Sequence, residues 1–141
     1  MVVGIGNPLR SDDGVGSHIV QKLQEKHIPG VKTLVCQQLN IELLEEVGKY
    51  EKILMIDASF LGEGMSLRKV NSAKDEQAVS SHHLTPEFFL MLAKKLYHWN
   101  DNLYLCSIRG RSFDIGSQLS TEVQRLVPQA IDEIYALLKE S

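Results

Sequence analysis

The sequence predicts an α/β protein in which helices cover both faces of a mostly parallel, five-stranded sheet, forming a three-layer α/β/α sandwich. Two observations predict this class. Short apolar segments alternate with segments of helical periodicity, which is the pattern of strand–helix–strand units. The central segment, ILMI, is apolar throughout, as expected for a strand buried on both faces. Because the chain contains no internal repeat or linker, we expect residues 1–141 to form a single domain.

The predicted strands are short, apolar and bounded by turn residues. In chain order they are Met1–Ile5, Val31–Cys36, Lys52–Ile56, Ser66–Asn71 and Asn102–Ile108. The fourth alternates between polar and apolar residues and carries charge, which favours an antiparallel edge strand. Glycines Gly62 and Gly64 mark the turn before it.

The first two predicted helices lie between the first three strands. Val15, Ile19 and Leu23 recur at helical spacing after Gly14, and Pro29-Gly30 ends that unit. Asn40 is expected to cap a second helix, which carries an apolar face and closes at Gly48. Its apolar residues are Ile41, Leu44 and Val47.

The last two predicted helices have clear start signals. Thr85-Pro86-Glu87 combines a capping residue, a proline at the first helical position and an acid at the positive end of the helix dipole. That helix is expected to run to about Tyr97. The final helix should begin after Ser120 or Thr121 and bury one apolar stripe. The stripe consists of Val123, Val127, Ala130, Ile134 and Leu137.

The composition excludes several functional classes. A net charge of −3 and a pI of about 5.9 give no support to nucleic-acid binding. No apolar run approaches the roughly 18 residues that span a membrane, and no signal peptide is recognised. Cys36 and Cys106 lie in apolar runs and are expected to be reduced core residues. We therefore expect a cytoplasmic protein, and by default a monomer.

The first loop lies in GIGNPLRSDDGVG. Its glycines suggest a phosphate-binding loop, whereas its acids argue against phosphate binding. The third glycine of a dinucleotide fingerprint is missing, and Pro8 removes a backbone donor. Asp12 and Asp13 place negative charge where a helix N-terminus would bind phosphate. Either acid alone could be a helix cap, but two in succession favour a divalent cation.

Further polar groups follow other segments of the predicted sheet. Asp57 directly follows the third strand, at the same carboxyl edge as the first loop; it could also accept hydrogen bonds from the next turn. His82 and His83 precede the capped helix, and imidazole is a common ligand for late first-row metals. Two carboxylates and one imidazole would leave coordination positions open, as a working metal site requires. The other histidines receive no site role.

At this point the sequence resembles the hydrogenase maturation endopeptidases. The shared landmarks are GIGNPLRSDDGVG, MIDAS, SSHHLTPEFFLMLA and GRSFDIGSQLSTEV, which occur in the family's order and cover nearly the whole chain. The resemblance implies a phosphorylase/hydrolase-like α/β/α sandwich. It also implies an endopeptidase that removes a C-terminal peptide from the large-subunit precursor of a nickel–iron hydrogenase after nickel insertion.

The resemblance also implies the residues of the site. The acids that contact the metal correspond to Asp13 and Asp57, and the histidine corresponds to His82 because the pattern H-x-L aligns with His82-His83-Leu84. His83 is the alternative, one residue away. Some family members carry Glu where this chain has Asp13. Nickel would arrive with the precursor and would not be a resident cofactor.

Two routes for peptide hydrolysis stay open at this stage, and two other functions are also possible. In the first route, nickel polarises the scissile carbonyl or a bound water. In the second, a carboxylate acts as general base, as in an aspartic-type protease. One alternative function is a non-proteolytic module that senses or delivers nickel. The other is a peptidyl-tRNA hydrolase-like esterase, which shares the G-x-G-N-P segment but not the paired acids.

Overall fold

A computed structural model describes residues 1–72, 84–100 and 102–140 of the chain. The described strands are β1 (Val2–Ile5), β2 (Thr33–Cys36), β3 (Lys52–Ser59), β4 (Met65–Lys69) and β5 (Asn102–Arg109). The described α-helices are α1 (Val15–Glu25), α2 (Pro86–Tyr97) and α3 (Thr121–Lys139). Two 3₁₀ segments cover Ser11–Gly14 and Ile41–Lys49. No helix among these residues is both long enough and apolar enough to cross a membrane.

The five strands form one sheet in the order β2-β1-β3-β5-β4. β1 pairs in parallel with β2 and β3, and β3 pairs in parallel with β5. Of the five described strands only β4 is antiparallel, against β5, and it lies at an edge. The predicted fold class, including the antiparallel edge strand, is therefore confirmed.

Side-chain alternation along β3 assigns each face of the sheet to one helical layer. Leu54 and Ile56 are fully buried against α1 and α3, whereas Ile53 and Met55 are fully buried against α2 and the 3₁₀ segment Ile41–Lys49. An apolar strand covered on both faces is what the ILMI run predicts. This double burial removes apolar surface from water on both sides of the sheet and makes β3 the centre of the core.

The predicted ends of α2 and α3 are confirmed. Thr85 Oγ1 accepts a hydrogen bond from the Phe88 N–H at 3.1 Å, and Pro86 is the first residue of α2. Ser120 is the N-cap of α3, where its Oγ accepts from the Val123 N–H at 3.4 Å. The predicted apolar stripe of α3 is buried along its whole length, which fixes this helix against the sheet.

Two predictions from the sequence are wrong in detail. The second predicted helix is a 3₁₀ segment, and the Asn40 side chain makes no capping hydrogen bond. In a 3₁₀ helix, residues three apart lie above one another. This spacing is seen in the Glu46–Lys49 ion pair, at 3.0 Å, and in the buried pair Leu44 and Val47. Cys36 is only half-buried, because β2 is an edge strand, whereas Cys106 is fully buried; both are free thiols.

The sheet has a topological switch point between β1 and β3. From β1 the chain crosses over α1 to reach β2 on one side, whereas the sheet continues on the other side with β3. The connections that leave the carboxyl ends of β1 and β3 therefore diverge and open a crevice. This crevice is where ligands bind in sheets of this kind.

Candidate functional site

The glycines of the first loop allow close backbone packing and do not form a phosphate cradle. A Cβ on Gly16 would lie 2.6 Å from the Ile56 carbonyl oxygen and 2.8 Å from the Ile5 amide nitrogen. Gly6 has a φ of 133°, and a Cβ there would collide with the Asp13 carbonyl oxygen. The loop therefore folds tightly onto the ends of β1 and β3 and holds the two adjacent aspartates in fixed positions.

The first of these aspartates, Asp12, is a structural residue. Its side chain is fully buried and joins the first loop to the segment between β5 and α3. Asp12 Oδ2 accepts hydrogen bonds from the Arg111 N–H at 2.7 Å, the Ser112 N–H at 3.0 Å and the Ser120 hydroxyl at 2.8 Å. Asp12 Oδ1 accepts from the Ser120 N–H at 2.7 Å.

These hydrogen bonds control the ionisation of Asp12. Burial alone raises the pKa of this carboxyl, but the hydrogen bonds from Arg111, Ser120 and Ser112 outweigh it, and the pKa lies below its ordinary value. Asp12 is therefore ionised at neutral pH and directed into the protein. It is not available to a ligand.

Asp13 is the aspartate of the pair that faces the crevice. Its Oδ2 accepts a hydrogen bond from the Asn7 N–H at 2.8 Å, which fixes the side chain from within its own loop. The 3₁₀ geometry of Ser11–Gly14 turns successive side chains apart, so Asp13 lines the crevice while Asp12 points inward. Asp13 can therefore act as a metal ligand, as predicted for one of the two adjacent aspartates, while Asp12 cannot.

Asp57 lies within β3, two residues before its end at Ser59, and not directly after the strand as the sequence predicts. It faces the same crevice from the other side. The carboxyl is half-buried, and its pKa is raised to about 7. Loss of hydration is the main cause, the Ala58 N–H opposes it through a hydrogen bond, and the negative charge of Asp13 raises the pKa further. The charge of Asp13 thus acts on Asp57 as the smallest of these contributions, which fits two carboxyl groups that line one cleft.

The crevice between the two aspartates is a cleft of about 480 Å³. Its walls come from the first loop, the ends of β2 and β3, and the start of α2. The lining residues are Ile5, Gly6, Arg10, Asp13, Gln37, Gln38, Leu39, Asp57, Phe60, Leu84 and Pro86. Cavities of about 410 and 390 Å³ occur elsewhere, so the paired carboxylates, and not the volume, distinguish this cleft.

The predicted histidine ligand lies outside the described residues, as does the alternative, His83. Leu84 and Pro86, which follow them closely in sequence, line the cleft. Among residues 1–72, 84–100 and 102–140, no group of three or more His, Cys, Asp or Glu side chains could hold a metal ion. The role of His82 therefore stays a prediction.

Sequence reasoning missed several residues of the cleft. Gln37 and Gln38 follow β2 at its carboxyl end, so the rule that located Asp57 could also have located them. Arg10 brings a cation into an otherwise acidic cleft, and its Nε donates to the Phe113 carbonyl at 3.1 Å. Phe60 stacks on Phe113 with ring centroids 4.2 Å apart, a contact between distant segments that no local pattern signals.

The raised pKa of Asp57 predicts a pH dependence of stability. The folded protein keeps this proton up to about pH 7, whereas the unfolded chain releases it near its ordinary pKa of 3.8. The free energy of unfolding should therefore fall as pH rises between these two values and level off above them. Denaturant unfolding at about pH 5 and about pH 8 should show a smaller decrease for Asp57→Asn than for the unmodified protein. Equal decreases in the two proteins would contradict the assignment.

The fold and the cleft define a class: an α/β/α protein with two opposed carboxylates at the switch point of its sheet. No family model matches the chain. The Escherichia coli hydrogenase 2 maturation protease is 25% identical to it over 149 residues, covering 100% of this chain and 91% of the relative. A candidate hydrogenase maturation protease of Methanocaldococcus jannaschii is 26% identical over 160 residues, covering 99% and 96%.

Solved structures give the same result for the fold. The crystal structure of the NiFe hydrogenase maturation protease HycI of Thermococcus kodakarensis superimposes with a TM-score of 0.76 at 22% identity, covering 99% of this chain and 91% of that one. The resemblance predicted from the sequence is therefore confirmed: over almost its whole length, this chain is similar to hydrogenase maturation proteases.

Proposed function

We propose that this chain is an endopeptidase that removes a C-terminal peptide from the nickel-loaded precursor of a nickel–iron hydrogenase large subunit. The observation that carries the proposal is the placement of Asp13 and Asp57 on opposite sides of one cleft, with the pKa of Asp57 raised to about 7. The relatives named above support the assignment through their own descriptions.

The cost of ionising Asp57 explains why a metallated substrate would be selected. Loss of hydration chiefly, and the charge of Asp13 to a smaller extent, raise the pKa of Asp57, so its ionised form is unfavourable without a cation. A nickel centre delivered by the precursor would displace the proton and compensate the carboxylate charge, whereas a nickel-free precursor would not. Carboxylate oxygens and the predicted His82 imidazole suit a divalent metal of this kind.

The chain's own groups can support hydrolysis of the peptide bond next to the nickel centre. Water attacks the scissile carbonyl, a carboxylate accepts its proton, and the proton passes to the departing amine. A carboxylate with a pKa near neutrality is suited to this exchange. Because Asp57 also supplies a nickel ligand in this scheme, it would accept the proton through the carboxylate oxygen that does not contact nickel. Nickel, as part of the substrate, can polarise the carbonyl.

The setting of the reaction is part of the same proposal. We place the enzyme in the cytoplasm, acting as a monomer on a large folded substrate. Free thiols at Cys36 and Cys106 fit a reducing compartment. Nickel is cargo of the precursor in this scheme and is not held by the enzyme between turnovers.

The proposal predicts processing of a purified precursor. Incubation of the protein with a nickel-loaded large-subunit precursor should shorten the precursor at its C-terminus, as measured by intact mass. A precursor that keeps its full mass while its nickel content changes would contradict the proposal and favour a nickel-delivery module.

A further inference from the structure

The strand β2 forms a free edge of the sheet beside the cleft. It is the outermost strand on its side, and no described strand lies beyond it. We propose that the C-terminal extension of the precursor binds there as an added strand, so that β2 guides the scissile bond into the cleft. This inference rests on the proposed function and adds to it the surface on which the substrate docks.

Within the part of the chain that the structure describes, the outward backbone groups of β2 have no hydrogen-bond partner. The Lys32 and Cys36 carbonyls accept hydrogen bonds from the Val2 N–H at 2.8 Å and the Gly6 N–H at 2.9 Å, so these carbonyls point toward β1. Since successive residues of a strand alternate in direction, the N–H and C=O groups of Thr33 and Val35 point outward. Two residues of an extended peptide could pair with them.

The side chains of β2 leave this edge unprotected. Leu34 is 39% exposed and Val35 is 51% exposed, and the strand carries no charge. The opposite edge strand, β4, carries Arg68 and Lys69, as edge strands that avoid pairing commonly do. The charged edge at β4 and the uncharged edge at β2 therefore differ in how well they can pair with another strand, and only the uncharged β2 edge favours pairing with an extended peptide.

The position of β2 identifies the partner as the substrate's extension. The strand runs directly into Gln37 and Gln38, which line the cleft that contains Asp13 and Asp57. A peptide paired with β2 is therefore continuous with the proposed cleavage site. A depression of about 220 Å³ beside β2 can hold an alternate side chain of such a peptide, which is how added strands gain specificity. Its lining residues are Leu34, Cys36, Asn40, Glu42, Leu43 and Glu46.

A proline at position 35 tests the proposal, because it removes the outward N–H and leaves the ladder with β1 intact. Val35→Ala is the matched control, since it also shortens the side chain but keeps the N–H. With the nickel-loaded precursor as substrate, Val35→Pro should raise KM about tenfold relative to Val35→Ala, with kcat little changed. Equal KM values for the two variants would overturn the proposal. Thermal unfolding of both variants shows whether the comparison is between folded proteins.

A second readout needs no proline. Amide hydrogen exchange at Thr33 and Val35 of the unmodified protein should slow while an excess of nickel-loaded precursor is present. Unchanged exchange at both amides would overturn the docking proposal. Slower exchange that appears without precursor and increases with protein concentration would also overturn it, because a second copy of the chain would then occupy the β2 edge. Failure of the unmodified protein to cleave any precursor would instead refute the proposed function.

Discussion

Replacing either cleft carboxylate by alanine, Asp13→Ala or Asp57→Ala, should lower the rate of precursor processing at least about 100-fold. Asp13 and Asp57 each present a carboxyl group to the cleft. Loss of either carboxyl group removes an oxygen ligand for the incoming nickel, and loss of Asp57 also removes the proposed proton acceptor. The rate is measured as the appearance of shortened large subunit, by intact mass, at a fixed concentration of nickel-loaded precursor.

Asp132→Ala is the matched control for this pair of variants. Asp132 is an exposed carboxylate on α3 and does not line the cleft. Its replacement removes the same charge and should leave the rate within about twofold of the unmodified protein. Processing at the unmodified rate by both cleft variants would remove the chemical basis of the proposed function.

Replacing Asp12 by alanine should destabilise the fold by about 3–5 kcal/mol, an effect on folding and not on chemistry. The substitution leaves three backbone N–H groups and the Ser120 hydroxyl without their buried acceptor. Asp12→Asn should recover only part of the loss, because its amide group presents donors to other donors. The free energy of unfolding in denaturant measures each effect.

Ser120→Ala is the smaller change, since it removes one of these four hydrogen bonds together with the cap of α3, and should cost about 2 kcal/mol. The lowered pKa of Asp12 also predicts how the free energy of unfolding changes with pH. Because hydrogen bonds hold the pKa of Asp12 below its ordinary value of 3.8, its stabilisation is present above that value and is lost as pH falls through the lower, folded-state pKa. An Asp12→Ala protein within 1 kcal/mol of the unmodified one would contradict this role.

The sheet and most helices could be predicted because their signals are local. The ILMI run fixes a strand buried on both faces, and the Thr85-Pro86-Glu87 start fixes the beginning of α2. The prediction of an α-helix after Asn40 is wrong because the buried residues of the segment Ile41–Lys49, Leu43, Leu44 and Val47, fit both α and 3₁₀ periodicity. Apolar spacing alone does not separate these two helix types.

The site was predictable in part, for a related reason. The rule that ligands gather at the carboxyl ends of parallel strands brings Asp13 and Asp57 to one edge. It does not decide which of two adjacent aspartates faces the ligand. That choice depends on Arg111, Ser112 and Ser120, which lie about 100 residues further along the chain and capture Asp12. Only the fold brings them together.

The central claim is that two opposed carboxylates recognise nickel carried by the precursor. The most direct test compares one purified large-subunit precursor in nickel-loaded and nickel-free form, each incubated with this protein and followed by intact mass. We predict C-terminal shortening of the nickel-loaded form and an unchanged mass for the nickel-free form. Equal shortening of both forms would contradict the claim, because the cleft acids would then have no metal to recognise.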